Sequence, residues 1–470
     1  NMLFHHIATI VSCCFECLLF GGVIFGWPSL EYVLRKEKYF ANYCTRISTV
    51  NECSKSKEMF NLVFTVSVST GQVSLVFGGY LLDKFGTWVH RGITSVAFVI
   101  GALLLALSSP EYAIMLFPSM ILIAVGGLNL LSSNIQAGNL SNSYRVTVIT
   151  LMNGSFDSGM LAFFLFKLSY DSGIDFKSIT VAYVVFSLYL CISTFTLMPR
   201  KWFPSVNSSS PVPRYGIYEV RQLFCRKNVV INESSQDEDE TRVRDTTGVD
   251  ENSQKISTLN CIKSPLFWTG LLFICFINLR INFFLGSFSS WIASFEDHSS
   301  LNTLTNIFGT LPLVGIVVAP INGAMTDITI KLCKKCGYND SQSKWKGLFT
   351  STFSTSVFAV CFSIAVSLRN TYSSFVFFFI TRSFLYASNA TFISLAFPAY
   401  HFGKLFGIIN FAFGMFGLLQ FALFTFGLNI DPGFRVTNYT WIAAAVITLV
   451  HSFAIFQKSR SHPHSPTRIL

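Results

Sequence analysis

Apolar stretches of about twenty residues recur along this chain between short polar breaks, and that length matches the hydrocarbon thickness of a bilayer. They fall near 8–33, 60–82, 91–108, 112–137, 146–168 and 178–198. A second set falls near 265–292, 301–325, 347–367, 372–397, 404–427 and 438–457. Between the sets, residues 200–263 are rich in Ser, Asn, Asp and Glu, too polar to bury the apolar surface that would offset their ordering entropy. The segments are too long for barrel strands, so each must satisfy its backbone internally as a helix. The predicted class is an all-α membrane protein of twelve transmembrane helices. It divides into a six-helix bundle over 1–199, a disordered cytoplasmic linker over 200–263, a second six-helix bundle over 264–457, and a cytoplasmic tail over 458–470.

Composition removes the soluble alternatives. Only 12% of the 470 residues are charged, about half the usual share for a globular protein. The net charge of +10 is a matter of topology. Residues 233–251 hold eight acids and two bases, so the excess of bases lies in the short loops. Positive loops are retained on the cytoplasmic side. The loops bearing Lys84, Arg91, Arg145, Arg200, Lys331, Lys344, Lys404 and Lys458 are therefore placed inside. Those near 109–111, 169–177, 293–300 and 428–437 are neutral or acidic and are placed outside, with the basic loop 34–58 an exception. Both termini come out cytoplasmic. A nucleic-acid partner would need a basic face on a soluble domain, and none is visible.

Most cysteines lie inside apolar runs, where they pack as small hydrophobes. Cys44 and Cys53 flank an outer loop and are candidates for a disulfide or for two free thiols. Cys333 and Cys336 form a lone CxxC, without the second pair or histidine that a zinc site needs. Asn438 begins a glycosylation sequon on the outer side. The first apolar run is too long for a signal peptide and lacks a small-residue cleavage site, so it is expected to remain as span 1.

The halves repeat. Gly79-Tyr80-Leu81-Leu82-Asp83 ends span 2, and Gly323-Ala324-Met325-Thr326-Asp327 ends span 8 with the same spacing. The first copy continues Lys84-Phe85-Gly86 and reaches Arg91. Gly79 would allow close helix approach, Asp83 would cap a helix or pair with a base, and Gly86 would turn the chain. This pattern resembles the loop 2–3 signature of the major facilitator superfamily. The resemblance implies two parallel six-helix halves with a binding site between them near mid-membrane, and alternating access to it. The cytoplasmic gate would then involve Asp83, Arg91, Arg145, Asp327 and Lys404.

Charges inside spans are costly and mark function. They are Glu16 in span 1, Asp157 in span 5, Arg280 in span 7 and Arg382 in span 10. Asn153 lies one turn from Asp157, and Asn389 two turns from Arg382, so each pair shares a face. These six residues are the candidate substrate contacts. Asp157 and Arg382 either line the substrate path or simply neutralise each other. Glu16 is either a packing pair or a substrate contact. Asn134, Asn410 and Gln420 read as helix-to-helix hydrogen bonds, and the many Phe residues as lipid-facing and core filler.

A narrower resemblance rests on longer strings. They are Glu16-Cys17 and Phe25-Gly26-Trp27-Pro28-Ser29-Leu30 in span 1, Asn153-Gly154-Ser155-Phe156-Asp157-Ser158 in span 5, and Arg382-Ser383-Phe384-Leu385-Tyr386-Ala387-Ser388-Asn389-Ala390 in span 10. His401-Phe402-Gly403-Lys404-Leu405-Phe406-Gly407 and Leu418-Leu419-Gln420-Phe421 add to them in span 11. With these the chain resembles solute carrier family 43, in its equilibrative nucleobase transporter branch; Pro28 stands where the amino-acid branch has glycine. The resemblance implies facilitated diffusion of purine bases such as adenine, guanine and hypoxanthine, across the plasma membrane, by a monomer with no cofactor. Arg280 departs from it: the nucleobase branch has an aromatic there, and a guanidinium suits a carboxylate. A carrier of large neutral amino acids is therefore the alternative, with a non-transporting sensor signalling through the linker as a third reading. Neither a catalytic nucleophile–base arrangement nor a metal cluster is apparent, so no enzyme is expected.

Overall fold

The computed structural model describes residues 2–44, 54–140, 145–200, 258–296, 298–397, 402–431 and 434–460. Cys53 and most of the 200–263 linker lie outside them. The described residues form twelve helical rods. In the first half these are α1 (His5–Gly21 and Val23–Lys36, bent by 41°), α2 (Ser54–Phe85), α3 (Thr87–Leu107), α4 (Ala113–Gly138), α5 and α6 (Phe176–Thr196). The rod α5 is Arg145–Asp157 and Leu161–Asp171, joined through the 3-10 turn Ser158–Met160. The second half holds α7 (Pro265–Ile292), α8 (Ser300–Lys335), α9 (Asp340–Ser367), α10 (Thr371–Ala396), α11 (Lys404–Asn429) and α12 (Arg435–Arg460).

Ten rods are long and apolar enough to cross a membrane, and bent α1 makes an eleventh. The twelfth, α5, is diluted by Asn153, Ser155, Asp157 and Ser158 at its middle, the part of the chain where hydrogen-bonding groups gather. The bend in α1 follows from sequence. A π turn at Cys17–Gly21 and a 3-10 turn at Val23–Gly26 interrupt it, and Pro28 opens the next helix, the usual causes of a kink. At the break, α1 and α5 touch backbone to backbone. A Cβ on Gly22 would sit 2.0 Å from the Phe156 carbonyl oxygen, and one on Gly159 2.7 Å from the Gly22 nitrogen, so only glycine fits either position.

Within the first half, α4 packs on α2 and α3, and α3 on α6; in the second, α9 packs on α8, α10 and α12. The halves meet along α2 with α11 and along α5 with α8. Several hydrogen bonds cross between them at the end where α1 leads into α2, here called the loop end. Asn61 Nδ2 donates to the Gly286 carbonyl at 2.9 Å, Ser54 Oγ to Asn429 Oδ1 at 2.9 Å, and Asn429 Nδ2 to Glu58 at 2.7 Å. Lys167, on α5, donates to Asn302 and Asn306 on α8.

The opposite end, where α1 begins and α12 finishes, is looser. Asp83, Asp327 and Lys404 are exposed. A Cβ on Gly79 or Gly323 would meet nothing within 4 Å, so the close approach expected at Gly79 is absent from this conformation. Gly86 does turn the chain, with φ 83° between α2 and α3. Arg145 opens α5, but its side chain lies outside the described part. Arg91 stands apart from these residues in this conformation; it is buried in the first half, as described below.

Two further expectations meet the structure here. Cys44 is disulfide-bonded. Asn438, by contrast, is 4% exposed in the first turn of α12 and lines a crevice with Ser367, Arg369 and Arg435. A glycan is bulky and needs a protruding amide, which this placement of Asn438 does not offer.

Candidate functional site

Near the middle of the molecule one ion pair joins the two halves. Arg382 Nε on α10 donates to Asp157 Oδ1 on α5 at 3.2 Å, with the two side chains 1% and 8% exposed. Asp157 is held there by the 3-10 turn that starts at Ser158, whose own hydroxyl donates to the Pro312 carbonyl of α8 at 2.8 Å. The Arg382 guanidinium lies 4.0 Å from the centroid of the Phe25 ring and 5.2 Å from that of Tyr386. Phe25 comes from the bent stretch of α1, so the kink positions an aromatic face directly on the cation.

The pair leaves capacity unused. Nη1 and Nη2 of Arg382, the Tyr386 hydroxyl and Asn389 Oδ1 are buried with no hydrogen-bond partner. Buried polar atoms are nearly always partnered, so these atoms have room in their bonding for a water, an ion or a solute. Asn389 follows Arg382 along the same face of α10, as the spacing predicted. Asn153 is half-buried, and its amide donates to the Ile149 carbonyl of its own helix at 2.9 Å, leaving its carbonyl for other contacts.

Two candidate residues lie elsewhere. Glu16 is fully buried inside the first half and fully partnered. It accepts from Arg91 Nη2 at 2.7 Å, from Asn134 Nδ2 at 3.1 Å and from the Ser193 hydroxyl. Arg91 is also completed by Thr194 and Ser133, each at 3.3 Å, and by the Asn134 carbonyl. This knot ties α1, α3, α4 and α6 together. Of the two readings open for Glu16, packing pair or substrate contact, this conformation shows the first, with Arg91 as its partner; Asn134 links the helices as expected.

Arg280 is also turned from the path. It is 3% exposed and faces Phe362 of α9 and Trp441 of α12, with ring centroids 5.0 and 5.7 Å from the guanidinium carbon. The opposite face of α7 carries Asn278 and Asn282, about 200° round the helix. One turn beyond Asn282, a side chain at Gly286 would touch Asn61 of α2 and Gln420 of α11, so this face looks toward the other half. Asn278 Oδ1, Asn282 Oδ1 and Gln420 Nε2 are buried and bare. A sequence read without direction puts Arg280 above such amides, because charge outweighs amide where the facing neighbour is unknown.

Lys167 was missed altogether. Its side chain is fully buried. Besides its two asparagines it reaches Asp171 at 2.7 Å and stands 4.4 Å from the Tyr32 ring centroid. The available signal was a lysine one turn before an aspartate at the end of span 5, which reads equally well as a span boundary.

The Major Facilitator Superfamily model matches residues 40–422. The chain belongs to the major facilitator superfamily. Its relatives within that superfamily include equilibrative nucleobase transporter 1 of Bos taurus, 32% identical over 96% of this chain and 95% of that one. Large neutral amino acids transporter small subunit 3 of Homo sapiens is 24% identical over 84% and 82%. Among solved superfamily structures, the proton:xylose symporter XylE bound to 6-bromo-6-deoxy-D-glucose superposes with a TM-score of 0.61 at 12% identity, over 96% of each chain, which speaks to the fold. The chain is thus a multi-pass membrane transporter, as the repeated G-x3-D pattern of this superfamily implied.

Proposed function

We propose that this carrier moves purine nucleobases down their gradient by alternating access, without coupling to an ion. The observation that carries the reading is the neutral, half-used Arg382–Asp157 pair beneath the Phe25 ring. Its charges cancel, yet Nη1 and Nη2 remain as donors and Tyr386 and Asn389 as further partners. A purine is neutral, flat, and edged with alternating donors and acceptors. It would take the free fork of Arg382 along its edge and place its face near an aromatic ring. The name of the 32% identical bovine relative, an equilibrative nucleobase transporter, supports the nucleobase part of this reading.

The amino-acid reading draws support from the 24% identical human relative. It needs a free cation for the substrate carboxylate, and its best candidate, Arg280, faces α9 and α12. The expected result is saturable uptake of labelled adenine in cells expressing the chain, unchanged by sodium removal or a proton uncoupler. Guanine and hypoxanthine should compete, and leucine should not. Absence of adenine uptake, or competition by leucine alone, rejects the purine reading.

The reading includes an orientation, with the loop end outside, the termini cytoplasmic and the plasma membrane as location. Lys167 would then be an outer latch. In Lys167→Met the latch loses charge-assisted hydrogen bonds to Asn302 and Asn306, each worth about 1.5–3 kcal/mol. The outer end should open more often. Labelling of a cysteine at Thr65 by a membrane-impermeant thiol reagent is expected to rise about tenfold or more. Equal labelling with and without the lysine would remove Lys167 from the gate.

A further inference from the structure

We propose that Arg280 holds a small monovalent anion of the halide class, in a site enclosed by α7, α9 and α12 and separate from the substrate path. The two halves, compared with each other, supply the argument. In the first half, the first, third and sixth helices converge on a buried charge that is fully answered: Glu16 of α1 meets Arg91 of α3, with Ser193 and Thr194 of α6 completing the knot. In the second half, the first, third and sixth helices converge on Arg280 in the same way, through Phe362 of α9 and Trp441 of α12. Here no carboxylate answers the cation among the described residues.

Among the described residues nothing accepts from two of the Arg280 donors. Its Nε and Nη2 are buried without a partner, and so is the indole Nε1 of Trp441, a group that can only donate. The faces of Phe362 and Trp441 attract the cation but accept nothing in the plane of the guanidinium. An isolated buried charge is among the costliest features a fold can carry, and the ordinary remedy is a counter-ion. An anion seated against Nε and Nη2 would do for Arg280 what Glu16 does for Arg91. The ring walls favour a compact, weakly hydrated ion of single charge over a phosphate. A transported carboxylate is disfavoured because Arg280 lies on the face of α7 opposite Asn278, Asn282 and Gly286.

The test uses the purified full-length chain in detergent, with thermal unfolding followed as sodium chloride replaces sodium gluconate at constant ionic strength. The wild type should gain a saturable rise in its unfolding midpoint, since an ion that binds only the folded state stabilises it by mass action. Bromide should substitute for chloride. Arg280→Gln should abolish the response while keeping the unfolding shift produced by adenine, because the two sites are distinct. Trp441→Phe keeps the ring and loses one donor, so it should move half-saturation up by about tenfold; it also stands in should the Arg280 variant fail to fold. A wild type indifferent to halide overturns the proposal. So does a halide response that survives intact in Arg280→Gln, or, where only Trp441→Phe folds, one that is identical to the wild type.

Discussion

Arg382→Ala is expected to lower adenine uptake by about a hundredfold or more while the protein still reaches the cell surface. Breaking one side of a buried ion pair typically costs about 3–5 kcal/mol, and each 1.4 kcal/mol is about tenfold in an equilibrium. Here that cost falls at the junction of the halves, where Arg382 meets Asp157, and not within either bundle, so transport should suffer more than folding. Asp157→Ala should behave alike. A double variant separates the two roles left open for this pair. If Asp157 and Arg382 only neutralise each other, Asp157→Asn with Arg382→Gln should regain most of the lost uptake, because no charge is left unanswered. If the free fork of Arg382 binds the substrate, the double variant should remain as inactive as the singles. Measurement of uptake normalised to surface protein decides between them, and we expect no recovery.

The second large effect is on stability. Glu16→Ala should strand the Arg91 guanidinium, which is fully buried within the first half, at a cost again of about 3–5 kcal/mol. Against a typical folding stability of about 5–15 kcal/mol, that should be read as lost expression and a sharply lower unfolding midpoint, whatever the substrate. Arg91→Ala should match it. Replacing both residues by apolar ones of similar volume, Glu16→Leu with Arg91→Met, should recover much of the folding, since buried pairs often yield to packing without loss. Normal expression of Glu16→Ala would mean that the knot of α1, α3, α4 and α6 matters little.

These contrasts show where a one-dimensional reading stops. Membrane spans were legible because each is a local property: about twenty apolar residues are a helix in lipid wherever they occur. The six-plus-six organisation was legible through two copies of G-x3-D. The Arg382–Asp157 pair was half legible, as equal depths can be counted from loop positions. Direction was not. Helical periodicity says that Glu16, Arg280 and Asn282 occupy certain angles on their helices, but not which neighbour stands at each angle. In soluble proteins a polar face marks the outside; in a bundle surrounded by lipid, a polar side chain can point to the path or equally to a sister helix. Glu16 and Arg280 both took the second course. Lys167 was obscured for another reason. A lysine near a span end is normally a snorkelling anchor, and only the asparagines of α8, far away in sequence, keep this one inside.

The pair that bridges the halves also bears on energetics at the level of the whole cell. One of its charges belongs to each half, so the pair itself adds no net charge to the moving centre, and a neutral solute would add none. A membrane voltage exerts about 2.3 kcal/mol per 100 mV only on net charge that is displaced across it. If the solute is a neutral purine moved without an ion, as proposed, such a carrier should generate no current and be deaf to depolarisation, leaving intracellular consumption of the solute as the means of drawing more of it in.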